Sequence, residues 1–286
     1  MKDFVITTDT GADLHMHFLK KYRVGFVRLP CFLSGRLFES SDYSKFYDSM
    51  KNGAAVSTSQ PSQSAIHDLF RPLLEEGLDV IHIAISSGIS GSFDACCSVA
   101  NELCSEFPNR KIKVIDSRAA ASGEALFYNQ ALKMQAEGNT FEETENWLEE
   151  NRKGVQHLFT VDSLLYLQRG GRISKTTAVV GAALGVKPLL TVNAAGNLTL
   201  YSKTRGRRKS LDVMVHDIET RLSTCNKNEF MFISQADCVE DAEYCAKLIQ
   251  KSYHCDVYIT PLAPVIGAHS GPGTINISFW GQPREL

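Results

Sequence analysis

The chain reads as an α/β protein with two domains. The first is a three-layer α/β/α domain with a mainly parallel sheet, the second a two-layer α/β domain with a mixed sheet. Three observations carry that reading. A strand, loop and helix succeed one another three times before residue 137, the signature of an open sheet covered by helices. The 286 residues are enough for roughly two domains of about 150 residues. The pattern then changes near Lys153-Gly154, which sets the expected domains at 1–154 and 155–286.

Phe4-Val5-Ile6 is a short apolar run ending in Thr7-Thr8-Asp9-Thr10-Gly11, a buried strand entering a loop. A second strand is expected within Val24–Phe32. Ile66, Leu69, Phe70, Leu73 and Leu74 recur at helical spacing, predicting a helix from about Pro61 to Glu76. Pro61 suits its first turn and Gly77 its stop, while Pro72 should bend it or end it early. Val80–Ile85 is apolar on both faces except for His82, as in a central parallel strand. It runs into Ser86–Ser92 and a helix from Phe93 to about Glu106. Lys113-Val114-Ile115 ends in Asp116-Ser117 and precedes helical sequence from Ala120 to Ala136. In such sheets ligands sit beyond the carboxyl ends of the strands, so the loops after Ile6, Ile85 and Ile115 should gather at one edge.

Phe141–Asn151 is one more amphipathic helix. Beyond the boundary, Leu189–Val192 and Leu198–Tyr201 flank Asn193-Ala194-Ala195-Gly196-Asn197, a hairpin signal. Helices at about Leu211–Leu222 and Val239–Lys251 alternate with strands at Phe230–Ile233, Val257–Thr260 and Thr274–Phe279.

Composition narrows the function. Thirty basic against thirty-two acidic side chains give a net charge of −2, so no global field recruits nucleic acid or an anionic membrane. Only three consecutive apolar residues open the chain, too few for a secretory signal. The uncharged stretch Pro261–Pro283 holds four glycines and four prolines, a poor membrane helix. Cysteines 31, 96, 97, 104, 225, 238, 245 and 255 form no CxxC pair and no metal-ligand rhythm with histidine. His15 and His17 lack carboxylates at metal spacing. A cytoplasmic protein without metal or cofactor is expected, with at most transient membrane contact.

Five segments could carry chemistry. Ser57-Thr58-Ser59-Gln60-Pro61-Ser62 offers hydroxyls and free N–H groups at a helix start, an anion site or simply a cap. Ser86–Ser92 holds four serines and two glycines between strand and helix. It lacks the P-loop ending and misses the nucleophile-elbow spacing by one position. Val265–Gly273 embeds His269 in a Gly/Pro turn sequence, which argues against a helix face for that histidine. Tyr166–Ser174 breaks a helix at Gly170-Gly171 between Arg169 and Arg172, cations able to clamp a phosphate or a carboxylate, or to close a helix. Lys203–Lys209 packs five cations into seven residues but has no aromatic interleaving and no nucleic-acid module. Asp9, Asp13 and Asp116 sit at strand ends, as paired acids or as loop caps.

Taken together these segments resemble one family. Thr8-Asp9-Thr10-Gly11-Ala12-Asp13-Leu14 resembles the Thr-Asp-Ser-x-x-Asp-Leu opening of the DegV family. Thr58-Ser59-Gln60-Pro61-Ser62 matches its Thr-Ser-Gln-Pro-Ser box, and Ser86–Ser92 is similar to its Ser-Ser-x-Leu-Ser-Gly-Thr loop. Tyr166–Ser174, Val186–Leu190 and His269-Ser270-Gly271-Pro272-Gly273 complete six boxes in family order. Thr10, Ile89 and Ser92 depart from them conservatively. Lys203–Lys209 is more basic than the resemblance leads one to expect.

The resemblance implies a protein, not itself an enzyme, that binds one long-chain fatty acid such as palmitate, stearate or oleate in an interior tunnel. It assigns the carboxylate to Thr58 and Ser90, with His269 beside the head group. In some members the lipid is presented to a separate ATP-using subunit related to dihydroxyacetone kinases, which phosphorylates the bound carboxylate. Arg172 and Arg205 match the arginines implicated in that step. Burying about fifteen methylenes at about 0.8 kcal/mol each gives roughly 12 kcal/mol gross, so release would be slow and hand-off favoured over free exchange. Two other functions compete with it. One is an autonomous enzyme on a small acyl or phosphorylated metabolite, with Ser90 as nucleophile and His269 as base. The other is a nucleic-acid-binding regulator using Lys203–Lys209.

Overall fold

The computed structural model describes residues 3–15, 25–174, 185–222 and 229–285. Val24, His17 and Cys225 lie outside the described residues. The first half runs β1 (Phe4–Asp9), β2 (Gly25–Val27), β3 (Cys31–Leu33), β4 (Arg36–Leu37), α1 (Tyr43–Lys51) and β5 (Val56–Thr58). It continues through α2 (Gln63–Glu75), β6 (Asp79–Ala84), α3 (Ser92–Glu106), β7 (Ile112–Asp116), α4 (Ala121–Ala136) and α5 (Phe141–Asn151). The second half runs β8 (Val155–Thr160), α6 (Leu165–Arg169), β9 (Val186–Val192), β10 (Leu198–Arg205) and α7 (Arg207–Asp217). It ends with β11 (Phe230–Gln235), α8 (Val239–Tyr253), β12 (Asp256–Pro261), α9 (Pro264–Ser270) and β13 (Ile275–Trp280).

The described residues form three sheets. β2-β1-β6-β7 is parallel throughout, the packing expected for strands apolar on both faces. β10-β9-β8-β13-β11-β12 is mixed, with β11 and β12 its parallel pair. β4-β3-β5 is a small antiparallel sheet. Ile66, Phe70 and Leu74 of α2, with Cys96, Val99 and Leu103 of α3, cover one face of the parallel sheet. The other face packs on Leu126, Phe127 and Leu132 of α4 and on Phe141 and Leu148 of α5. α4 also rests on β8, β11 and β13. α7 and α8 cover the far side of the mixed sheet through Leu211, Met214 and Ile249. The order of layers is therefore α/β/α/β/α, and the mixed sheet takes its second helical cover from the first half of the chain.

α4 explains how one helix serves two sheets. Thirteen of its sixteen residues are buried, leaving almost no polar stripe. Small residues at its start let a strand come close: a Cβ on Gly123 would lie 2.1 Å from Cε1 of His157. Three of its polar side chains find partners inside. Tyr128 donates to the Ile6 carbonyl at 3.2 Å and Gln135 to the Phe4 carbonyl at 2.7 Å. Glu124 accepts from the Thr8 hydroxyl at 3.1 Å.

Several elements differ from the sequence reading. The strand expected at Val24–Phe32 is two strands in two sheets, because Pro30 has no N–H and Leu29 N–H bonds to the Thr10 hydroxyl at 2.9 Å. Pro61 precedes the helix, and Ser62 caps it by accepting the Ala65 N–H at 3.2 Å. α2 continues through Pro72 to Glu75. α1, β4, β5 and β8 have no counterpart in the sequence reading. His82 is buried, its Nδ1 2.9 Å from the Thr7 hydroxyl. No described helix is long and apolar enough to cross a membrane.

Burial, and next the charge of Asp9, hold the Glu124 carboxyl well above its ordinary value of 4.5. The folded state keeps this proton after the unfolded chain has lost it. The resulting stability is full below about pH 4.5 and falls as pH rises. Glu124→Gln mimics the protonated group, so its stability relative to the parent should increase from pH 5 to pH 8 in urea unfolding. A difference that does not change with pH would contradict a buried neutral Glu124.

Candidate binding site

The carboxyl ends of β1, β6 and β7 do converge, and their aspartates act there as loop caps. Asp9 accepts the Gly11 N–H at 2.7 Å and the Ile85 N–H at 2.9 Å. Asp116 accepts from the Ser87 N–H at 3.1 Å, the Ser87 hydroxyl at 2.6 Å and the Arg118 N–H at 3.0 Å. Asp13 accepts the Ala263 N–H at 2.8 Å, and the Tyr47 hydroxyl donates to the Leu262 carbonyl at 2.8 Å. These last two bonds anchor the start of α9 on the N-terminal half.

The Ser86–Ser92 loop meets the β9–β10 hairpin. The Ser86 hydroxyl donates to the Gly196 carbonyl at 2.9 Å, and Arg118 donates to the Ala194 carbonyl at 2.7 Å. A Cβ on Gly88 would lie 2.6 Å from the Gly196 carbonyl atoms, so the two backbones touch. Between this junction, the start of α4 and α9 lies a cavity of about 180 Å³, counted as space open to the centre of a water molecule. On that measure one water needs about 10–15 Å³, so the space suits a ligand.

Its wall is mostly apolar, with Leu29, Ile85, Ile89, Phe159, Leu198, Leu262 and Val265 among the lining residues. Thr58, Ser90, Arg172 and His269 share it. Thr58 is the last residue of β5, opposite Cys31 of β3, rather than part of the helix start. His269 lies on α9, which corrects the expected turn: Pro264 opens the helix, where its missing N–H costs nothing, and Gly271 ends it. The Thr58 hydroxyl and His269 Nε2 are 2.7 Å apart. Burial, and next the charge of Arg172, push the imidazole down to about 4, so it is neutral at pH 7. The Gly170 backbone packs against the ring, where a Cβ would lie 2.2 Å from Nδ1.

The Ser90 hydroxyl is 2.8 Å from that of Ser92 and accepts the Ser92 N–H at 3.2 Å. Because His269 bonds Thr58 and Ser90 bonds Ser92, the nucleophile–base pair of an autonomous enzyme is not formed. Arg172 donates through Nε to the Ile89 carbonyl at 3.0 Å and through Nη1 to the Gly170 carbonyl. Two carbonyls, not a carboxylate, hold its guanidinium beside the Ser90 loop. Arg205 stands apart: it is exposed at the end of edge strand β10 and does not line the cavity. Nearby, Arg207 pairs with Asp241 at 2.7 Å and Lys187 with Asp162 at 2.6 Å, so acids partly neutralise the basic segment and its surroundings. Among the described residues no group of three His, Cys, Asp or Glu is placed to hold a metal.

The sequence reading missed other lining residues. Gln60, Ser270, Thr274, His157 and Asn276 all face the cavity. Gln60 and Ser270 fall inside the quoted motifs. His157 and Asn276 sit on buried strands whose neighbours give no sign of a site.

The DegV family model matches residues 3–282. This chain belongs to the DegV family. A DegV domain-containing protein of Clostridium perfringens is 36% identical over 291 residues, covering 100% of both chains. Among solved structures, a DegV lipid-binding protein of Thermotoga maritima is similar with a TM-score of 0.85 at 26% identity, covering 100% of both chains. A fatty-acid-binding DegV family protein of Streptococcus agalactiae gives 0.86 at 25% identity, covering 99% of this chain and 100% of that one. Four of the six DegV boxes fall at β5, the Ser86–Ser92 loop, α6 and α9, each of which contributes to the cavity wall, while the boxes at Thr8–Leu14 and Val186–Leu190 do not line it.

Removing the positive charge beside His269 should ease its protonation. In Arg172→Gln, the imidazole midpoint followed by NMR is expected to rise from about 4. An unchanged midpoint would contradict the proximity of the two side chains.

Proposed function

We propose that this protein binds one long-chain fatty acid, its chain in a tunnel formed by the cavity and its carboxylate against Thr58, Ser90 and His269. The observation that carries this reading is the pairing of a mostly apolar cavity with hydroxyl groups and a neutral imidazole in its wall. The lipid- and fatty-acid-binding relatives support it.

An acyl chain needs only apolar wall, while its carboxylate needs donors to replace lost water. With the His269 proton on Nε2, the imidazole donates to Thr58 and leaves the threonine proton for the carboxylate. Ser90 supplies a second hydroxyl from the loop before α3. Arg172 adds positive charge nearby without the tight pairing that would trap the acid. His269 therefore orients Thr58 and polarises the head group.

The bound acid is presented to an ATP-using subunit of the dihydroxyacetone-kinase type, which forms the acyl phosphate. Arg172 would meet the phosphate from the cavity wall and Arg205 from the exposed strand end. Transfer in place suits a ligand whose escape means re-exposing its whole chain to water. In this reading residues 1–154 carry the carboxylate-binding loops of Thr58 and Ser90, and residues 155–286 close the tunnel.

Protein purified without added lipid should release about one long-chain acid per chain in mass spectrometry. After delipidation, Thr58→Val and Ser90→Ala should each weaken palmitate binding about tenfold or more, the worth of a hydrogen bond to a charged group. No co-purified acyl chain, together with no uptake of palmitate or oleate, would overturn the reading. With the kinase subunit and ATP, hydroxylamine should trap acyl phosphate, and Arg205→Ala should slow this without changing palmitate affinity. Equal trapping by the variant would remove Arg205 from the step.

A further inference from the structure

We propose that the acyl chain this cavity prefers carries a hydroxyl group along its length, received by His157 and Asn276. The inference rests on the fatty-acid reading above and adds the class of chain. Both residues line the cavity, yet they are 2% and 5% exposed. Each has a buried atom without a partner, Nε2 of His157 and Oδ1 of Asn276.

Their surroundings fix how they are presented. Asn276 donates through Nδ2 to the Ser122 hydroxyl at 2.8 Å and to that of Ser278 at 3.0 Å. The nitrogen side of the amide is thus used to join α4 to β13, and the oxygen side is left over. His157, on neighbouring strand β8, packs its ring on Gly123. Burial pushes the imidazole down to about 3, so it stays neutral and cannot pair with a second carboxylate.

A plain saturated chain in this cavity would leave both polar atoms unpaired and dry, and such groups are expensive to bury. A hydroxyl both donates and accepts. With the His157 proton on Nε2, it accepts from the imidazole and donates to Oδ1 of Asn276 at once. A keto group could only accept. The residues assigned to the head group come from β5, the Ser86–Ser92 loop and α9, whereas this pair lies on β8 and β13.

The test is competition binding to delipidated full-length protein with stearate and with 3-, 10- and 12-hydroxystearate. At least one hydroxy isomer should bind about tenfold more tightly than stearate, a ratio within reach of two recovered hydrogen bonds. In Asn276→Leu the preference should vanish while stearate affinity holds or improves. Wild-type protein alone decides the matter if that variant fails to fold. Stearate binding as tightly as every hydroxy isomer, as when a trapped water serves the pair, would overturn the inference and leave the fatty-acid reading intact. A preference that survives in Asn276→Leu would overturn it too. Binding of neither kind of acid would sink both.

Discussion

The contact between the start of α4 and the mixed sheet controls the rest of the structure. Ser122 N–H bonds the Ser234 hydroxyl at 3.1 Å, the Ser122 and Ser278 hydroxyls are 3.0 Å apart, and Gly123 lies against the His157 ring. These bonds hold a helix that also covers the parallel sheet, so the two sheets cannot shift independently. The chain enters α4 through Arg118 and Ala121, both at positive φ without being glycine, with φ of 48° and 53°. Such backbone costs of order 1–3 kcal/mol per residue unless its surroundings enforce it. Here the Gly11 carbonyl accepts the Ala121 N–H at 2.8 Å, Asp116 caps Arg118, and Ala121 lines the cavity. The strained turn therefore sits where the two halves and the cavity meet.

That junction explains why the polar groups of the site come from distant parts of the chain. Thr58 and His269 are 211 residues apart and meet because Asp13 and Tyr47 anchor the start of α9. Ser90 reaches the same wall because its loop is pinned below by Asp116 and above by the β9–β10 hairpin. Burial then keeps His269 neutral, and the result is a wall rich in hydroxyls with Arg172 nearby. Such a wall can hold an anion without the strong pairing of a buried ion pair.

Much of this was legible in the sequence, and its failures have physical causes. α2, α3, α5 and α8 each bury one face and expose another, so their periodicity is read directly. α4 was found from its helical composition but not its role, since a helix buried all round has no stripe to indicate what it packs on. β8 escapes the sequence pattern because Gln156 and His157, both buried, interrupt its apolar run. α9 reads as a turn in the sequence because Pro264, Gly267 and Gly271 look like turn residues. Pro264 starts the helix, and Gly267 is required where a Cβ would lie 2.2 Å from the Tyr47 hydroxyl. The segments of Thr58, Ser90, Arg172 and His269 stand out by residue type, but their assignment to one site comes from the resemblance, because residues so far apart in sequence carry no local sign of meeting. His157 and Asn276 had neither periodicity nor motif to mark them.

The most direct measurement is the ¹³C spectrum of carboxyl-labelled palmitate bound to the protein. A carboxylate gripped by the Thr58, Ser90 and His269 cluster should give a single resonance, apart from that of the free acid, that moves in Ser90→Ala and again in Thr58→Val. A resonance indistinguishable from the free acid, or one that neither substitution moves, would contradict the account.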